Sequence, residues 1–386
     1  MNAPALRFRD NDAQKFPEWE KRNISEILKI GSGKDYKKLK SGDIPVYGTG
    51  GYMLSVNDYL YDGESVCIGR KGTIDRPVHL SGKFWTVDTL FYTHSFVSSL
   101  PKFIYALFQN IDWKNYNEAS GVPSLSKSTI EKIEVFIPSL PEQTKIANFL
   151  TAVDEKITLL TQKADLLSQY KKGVMQQIFS QELRFKDDDG QEFPEWEEKT
   201  LGEISDVKGG KRLAKGYSLQ HENNGMPYIT VSDMYQGSVD VKNIKYVPSE
   251  IAESIKNYKI SINDIFISVA GTLGIVGIIP KELDNANLTE NANKLTNLKC
   301  NQKYLLQYLM SDTFGKLIDS VKTTNAQPKL AIYAINSFAT CLPSSIKEQT
   351  KIANFLTAID DKITNHQTQL NAVKQYKQGL LQQLFV

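Results

Sequence analysis

Cysteine and histidine are scarce in this chain. Its 386 residues include only three cysteines, Cys67, Cys300 and Cys341, and four histidines, His79, His94, His221 and His366. The cysteines are far apart, odd in number and form no C-x-x-C pair. That pattern reads as reduced thiols in a cytosolic protein, not as a disulfide framework or a zinc site. The scattered histidines give no support to a metal centre or a Ser-His-Asp triad. The phosphate-binding motif G-x-x-x-x-G-K-S/T is missing too: Gly31-Ser32-Gly33-Lys34 is followed by Asp35, and Leu28 stands where the first glycine would be. No G-x-S-x-G elbow, zinc-protease helix or Asn/Asp-Pro-Pro-aromatic stretch of an amino-methyltransferase occurs. Taken together, these absences weigh against a chain that performs ATP, metal or methyl-transfer chemistry by itself. The longest apolar run, Ile275–Pro280, is far too short to span a bilayer. The first residues, MNAPALRFRDND, are polar, so no secretory leader is expected. A net charge of +2 and a pI near 8.1 are only weakly basic and do not by themselves announce nucleic acid.

What the chain does have is a repeat. Glu142–Thr158 reads EQTKIANFLTAVDEKIT and Glu348–Thr364 reads EQTKIANFLTAIDDKIT, identical at 15 of 17 positions with an offset of 206. Ser139-x-x-Glu142 and Ser345-x-x-Glu348 have the form of capping boxes that open a helix. Downstream, apolar residues fall in steps of four and three: Ile146, Leu150, Val153, Ile157, Leu160, Ala164, Leu167, Val174 and Ile178. The second copy gives Ile352, Leu356, Ile359, Ile363, Leu370, Val373, Leu380 and Leu384. A 3.5-residue period held this long marks a coiled-coil seam, and the simplest partner for one copy is the other. Lys171 and Lys377 interrupt the two seams at equivalent places, with stems that can stay in the seam while the ammonium leaves it. Each helix would run for roughly 58 Å at 1.5 Å per residue.

A second repeat has a different offset. Leu6-Arg7-Phe8 and Phe16-Pro17-Glu18-Trp19-Glu20 recur, 177 residues later, as Leu183-Arg184-Phe185 and Phe193-Pro194-Glu195-Trp196-Glu197. The chain therefore reads as box, variable domain, helix, box, larger variable domain, helix. The Phe and Trp of each box read as packing anchors. The variable domains share little sequence but keep one order of signals. Each has an early strand, Gly42–Tyr47 or Gly225–Ile229. Each then has a buried-looking strand running into a glycine turn, Val66–Thr73 or Ile265–Thr272. A helix follows, carrying Leu100, Phe103, Ile104, Leu107 and Phe108 in one domain and Tyr304, Leu305, Tyr308 and Leu309 in the other. The two domains read as divergent copies of one α+β fold.

The remaining chemistry lies in loops. Lys34, Lys37, Lys38 and Lys40 precede the first strand, and Arg70 and Lys71 sit on the first glycine turn. Lys208, Lys211, Arg212 and Lys215 interleave with Gly209 and Gly210. Asn291, Asn293 and Lys294, then Thr324, Asn325, Gln327 and Lys329, form later polar loops. Lys and Arg neutralise phosphates, while Arg, Asn and Gln can also read base edges. Each cluster alone also fits an ordinary solvated loop.

The doubled EQTKIANFL helix, the proline-containing run that leads into each copy (Ile137–Gln143 and Leu342–Gln349), the dissimilar domains between repeats, and the helix ends Gln169–Phe179 and Gln375–Phe385 resemble a specificity subunit of type I restriction-modification systems. The resemblance covers the whole chain. It implies an α+β architecture of two target-recognition domains of one fold, separated by a long antiparallel two-helix coiled coil with a pseudo-twofold internal repeat. The expected boundaries are 1–138, 139–182, 183–344 and 345–386. It implies recognition of a bipartite, asymmetric site on double-stranded DNA, no catalytic residues, and cytoplasmic placement without a membrane. It also implies two methyltransferase subunits carrying S-adenosylmethionine for adenine-N6 methylation, and restriction subunits using ATP and Mg. Tyr47, Thr49, Lys83, Ser120, Lys127, Ser232 and Thr272 complete the candidate DNA-contacting set. Phe149/Phe355 and Phe179/Phe385, which recur off the seam, are expected to face the domains or the methyltransferase subunits. An unrecognised enzyme and a coiled-coil adaptor without DNA readout are the competing readings.

Overall fold

The computed structural model describes residues 4–321 and 329–385. The chain divides into two compact units, Met1–Gln162 with His366–Val386, and Lys163–Asn365. Each contains β-sheets, short helices and part of two long helices, Leu140–Phe179 and Ile346–Leu384.

The two units share one topology. In unit 1, strand Glu20–Asn23 pairs antiparallel with Glu134–Ile137. One four-stranded sheet runs Lys29–Ser32, Leu90–His94, Ser65–Gly69, Val78–Leu80. The other runs Gly51–Val56, Ser41–Gly48, Lys83–Thr86, Tyr61–Asp62. In unit 2, Trp196–Thr200 pairs with Ala339–Pro343. Its sheets run Asp206–Gly209, Ala292–Thr296, Ile265–Ser268, Val276–Gly277 and Lys245–Tyr246, Pro227–Ile229, Ala286–Leu288, Lys259–Ile260. Even the parallel pair of each second sheet recurs, Val46 beside Trp85 and Tyr228 beside Asn287. Ser65–Gly69 and Ile265–Ser268 are buried at every position because both faces of these inner strands are covered. Helix Pro101–Asn110 starts on a proline, which has no N–H to leave unpaired, and buries Phe103, Ile104, Leu107 and Phe108.

The seam residues lie inward. Ile146, Leu150, Val153, Leu160, Ile352, Leu356, Ile359 and Leu370 are buried, and Ile157, Leu167, Ile363 and Val373 are half-buried. In unit 1, Ile146, Leu150 and Val153 share a core with Leu380, Leu381 and Leu384. In unit 2, Val174 and Ile178 share one with Ile352, Leu356 and Ile359. The two seam lysines bind reciprocal partners: Lys377 Nζ lies 2.6 Å from Asp154 in unit 1, and Lys171 Nζ lies 2.7 Å from Asp360 in unit 2. The four residues are two repeat-equivalent pairs.

The helix starts differ from the capping-box expectation. Ser139 Oγ has no partner, and Glu142 turns away from the backbone. Its carboxylate, 0% exposed, accepts from Arg7 Nη2 at 2.8 Å, Arg7 Nε at 3.1 Å and Trp19 Nε1 at 3.2 Å. In unit 2, Glu348 accepts from Arg184 Nη2 at 3.2 Å and Trp196 Nε1 at 3.1 Å. The reason is strength: a bidentate guanidinium plus an indole N–H outcompetes a neutral cap. The two repeats, with their two offsets, thus meet at one buried carboxylate in each unit. Those hydrogen bonds hold the Arg7 pKa above its ordinary value. The recurring phenylalanines also face inward. Phe149 packs on Phe8 and Phe355 on Phe185, while Phe179 meets Tyr308 and Phe385 meets Phe103. Each packs within its own unit, the first of the two sequence expectations.

Candidate nucleic-acid interface

In unit 1 several loops converge at one end of the sheets. Gly33 packs so closely on the next chain segment that a methyl group there would lie 1.9 Å from the Val87 carbonyl oxygen. This approach lets the Lys34 N–H donate to Thr86 O at 2.8 Å, while Trp85 Nε1 donates to Lys34 O at 2.8 Å. The Val87 N–H donates to Tyr47 O, which brings in the hairpin tip that carries Thr49. The Arg70 N–H donates to Thr89 O at 2.7 Å, and the Gly72 N–H donates to Pro123 O at 2.9 Å. Gly72 takes φ +86°, the left-handed region that glycine adopts without strain, and the Thr49 hydroxyl lies beside it. Lys34, Lys37, Lys38, Arg70, Lys71 and Ser120 are exposed, and Tyr47 and Thr49 are half-buried. The Arg70 guanidinium lies 6.0 Å from the centre of the Phe91 ring.

Unit 2 repeats this skeleton in four bonds, the last of which matches the Leu125 N–H donating to Arg70 O in unit 1. The Lys211 N–H donates to Leu288 O, Thr289 N–H to Ile229 O, Val269 N–H to Asn291 O and Leu330 N–H to Val269 O. Tyr228 Oη donates to Lys211 O at 2.8 Å, taking the place of the Trp85 indole. Gly210, like Gly33, has a carbonyl where a methyl would go, Thr289 O at 2.0 Å. Hence Lys34 and Lys211 are equivalent, and Arg70-Lys71-Gly72 corresponds to Val269-Ala270-Gly271. The second turn carries no cation; Lys329, whose backbone bridges to Ala270, supplies one nearby. Because the close approach is shared, Gly33→Ala and Gly210→Ala are each expected to cost about 1–3 kcal/mol through overpacking. Urea denaturation of the two variants, read against the wild-type protein, measures this; an unchanged midpoint would contradict the packing.

Several sequence expectations need correction. Asn293 lies within a sheet strand and is 4% exposed, out of reach of a base. The Lys294 ammonium is held by Asp264 at 3.3 Å and by the Lys259 carbonyl, so it is an internal cation. Arg212 is bound to Glu290, whose hydrogen bond raises the Arg212 pKa. Lys83 lies at the far end of strand Lys83–Thr86 from Lys34, over the Tyr59 ring. Lys127 pairs with Glu131, and Lys208 lies 3.9 Å from Asp206. Lys215, Ser232 and Thr272 are exposed and Asn291 is half-buried. Asn325 and Gln327 lie outside the described residues. Sequence reasoning passed over three exposed apolar residues at the unit 1 face: Tyr52, Met53 and Val122. Their signal was an apolar residue set among tip glycines, Gly50-Gly51-Tyr52-Met53 and Gly121-Val122.

The duplicated skeleton has a counterpart among known proteins. The profile of the type I restriction modification DNA specificity domain matches residues 17–169 and 194–375. The chain belongs to this family. The two matched segments cover the variable part of both units. The type I restriction enzyme MjaVIII specificity subunit of Methanocaldococcus jannaschii is 24% identical over 375 residues, covering 92% of this chain and 83% of its own length. The MjaIX specificity subunit of the same organism is 25% identical over 421 residues, covering 98% and 95%. Among solved structures, the type I restriction-modification S subunit from M. genitalium has a TM-score of 0.67 at 18% identity, covering 100% of this chain and 99% of that one. This likeness is one of fold. Among the described residues no helix is long and apolar enough to cross a membrane.

Proposed function

We propose that this chain is the DNA-reading specificity subunit of a type I restriction-modification complex, each unit reading one half of a bipartite, asymmetric site. One observation carries the reading: a single backbone skeleton occurs twice, and its exposed loops differ. A shared skeleton presents both units to DNA in the same way. Different loops, with Arg70-Lys71 in one and Val269-Ala270 in the other, make the two half-sites unequal. Lys34, Lys37, Lys38, Arg70 and Lys71 would serve one half, and Lys211, Lys215 and Lys329 the other.

The reciprocal ion pairs Lys377–Asp154 and Lys171–Asp360 support an antiparallel, pseudo-twofold pairing of the long helices. Exchange of the two repeats maps one pair onto the other, the signature of a self-complementary interface. Such a pairing matches the dyad of duplex DNA. Asn148/Asn354, Lys156/Lys362 and Tyr170/Tyr376 are identical in both repeats and exposed in both. They suit two copies of one partner, the methyltransferase subunits, which would carry S-adenosylmethionine and methylate adenine N6. Restriction subunits using ATP and Mg would complete a cytoplasmic complex.

The test is to map methylated adenines genome-wide with this chain, without it, and with residues 198–340 replaced by the matching segment of another such subunit. The expected result is one split motif that vanishes without the chain and changes in one half only after the replacement. A replacement that alters both halves, or neither, overturns the two-reader reading.

A further inference from the structure

The unit 1 face holds something its cations do not explain. Tyr52, Met53 and Val122 are large apolar side chains that are 63%, 48% and 66% exposed. They surround the Arg70–Gly72 turn from two sides. Val122 rides on the loop that the Gly72 N–H fixes through Pro123 O, and Lys71 bridges to Ser124 in the same loop. Tyr52 and Met53 follow the tip of the hairpin Ser41–Gly48/Gly51–Val56, whose Thr49 hydroxyl lies 3.8 Å from the position a side chain at Gly72 would take. Tyr52 and Met53 are held in place. Tyr52 Oη shares a hydrogen bond of 3.1 Å with Ser55 Oγ, and its ring stands edge-on to Tyr47 at 6.3 Å. Met53 Sδ sits over Gly48. Nothing lies within 4 Å of where side chains at Gly50 and Gly51 would start, so the tip is bare backbone.

We propose that unit 1 reads thymine C5-methyl groups in the major groove of its half-site through Tyr52, Met53 and Val122. The proposal rests on the DNA-reading function above and names the chemistry of one half-site. A two-stranded ribbon fits the major groove, which is about 12 Å wide. With Arg70 and Lys71 on phosphates, ordered apolar groups beside them need an apolar partner on the base edges. In the major groove the thymine methyl is that partner. In unit 2 the equivalent strands, Pro227–Ile229 and Lys245–Tyr246, are joined by residues 230–244 instead of Thr49-Gly50, and the short hairpin inside that connection, Met234–Tyr235 with Ser238–Val239, has its tip tied to the core sheet by the Gly237 N–H donating to Val276 O. The two connections differ, and methyl reading is assigned to unit 1, where the free tip stands beside the Arg70–Gly72 turn.

The experiment uses the chain with its methyltransferase partner and duplexes carrying the mapped bipartite site. Each thymine of the unit 1 half is replaced in turn by deoxyuridine, which removes the methyl and keeps the base pair. Binding is expected to weaken about fourfold per contacted methyl, the worth of one buried apolar carbon. Met53→Ala and Val122→Ala should bind the thymine duplex less tightly and become indifferent to the replacement. A wild-type complex that ignores deoxyuridine at every position overturns the proposal; so does a deoxyuridine effect of unchanged size in both variants. An apolar wedge between base steps would give the first of these results. Transversions at the same positions separate the two levels. If transversions weaken binding and deoxyuridine does not, only methyl reading fails. If transversions in this half have no effect, the assignment of the half-site to unit 1 fails and takes methyl reading with it.

Discussion

Replacing Glu142 by alanine is expected to lower the melting temperature of unit 1 by about 6–12 °C. The buried carboxylate neutralises Arg7 and accepts from the Trp19 indole. Its removal leaves a guanidinium that is only 19% exposed without its counter-charge. Breaking a buried pair from one side costs about 3–5 kcal/mol. Arg7 keeps the carbonyls of Phe16 and Pro17, so the lower end, about 3 kcal/mol, applies. For a unit of this size each kcal/mol shifts the midpoint by about 2–4 °C. Glu142→Gln keeps an acceptor for the indole and should fall between. Glu18→Ala is the control: that carboxylate is 3.6 Å from Arg7 but 84% exposed, and its loss should change little. Glu348→Ala is the matching change in unit 2, where Trp196 loses the same acceptor, and it should lower that unit's melting temperature in the same way. If Glu142→Ala melts with Glu18→Ala, the buried carboxylate does not hold the box to the helix.

That contact also shows where sequence reading stops. The buried face of the long helices, the central strands and the domain helices were legible because each follows from a period or an apolar run, and the boxes because they recur. The capping boxes were not. Ser-x-x-Glu fits a local cap, and only three-dimensional closure brings Arg7, 135 positions away, to compete for Glu142. The doubled boxes were visible as repeats, but their meeting point was not, because the two offsets differ by the unequal domain lengths. Asn293 and Lys294 read as loop residues because polar side chains in a strand look like a turn. Their burial depends on partners such as Asp264, which no local pattern announces. The equivalence of Lys34 with Lys211 was hidden for another reason. It is written in backbone hydrogen bonds around Gly33 and Gly210, and the side chains around them have diverged.

The seam itself allows a sharper test. Leu150→Asp and Leu356→Asp should each destabilise their own unit by roughly 5 kcal/mol, beyond what most single substitutions cost. Leu150 is 3% exposed in the core of unit 1, and Leu356 is 0% exposed in that of unit 2. Each change removes a buried leucine, costing about 2–5 kcal/mol as in a leucine-to-alanine change. It also places a carboxylate in an apolar core, which adds a desolvation cost. Leu150→Ala and Leu356→Ala isolate the first contribution and should keep the protein soluble enough to measure. The discriminating variants are Leu159→Asp and Leu166→Asp. Those leucines lie on the same helix, one position from seam residues, yet are 61% and 63% exposed. Changes there should stay within about 0.5 kcal/mol. Thermal melts of the set compare buried with exposed positions at constant chemistry. Equal losses at Leu159 and Leu150 would mean that the helix presents a different face, and the phase of the seam, with the pairing built on it, would have to be abandoned.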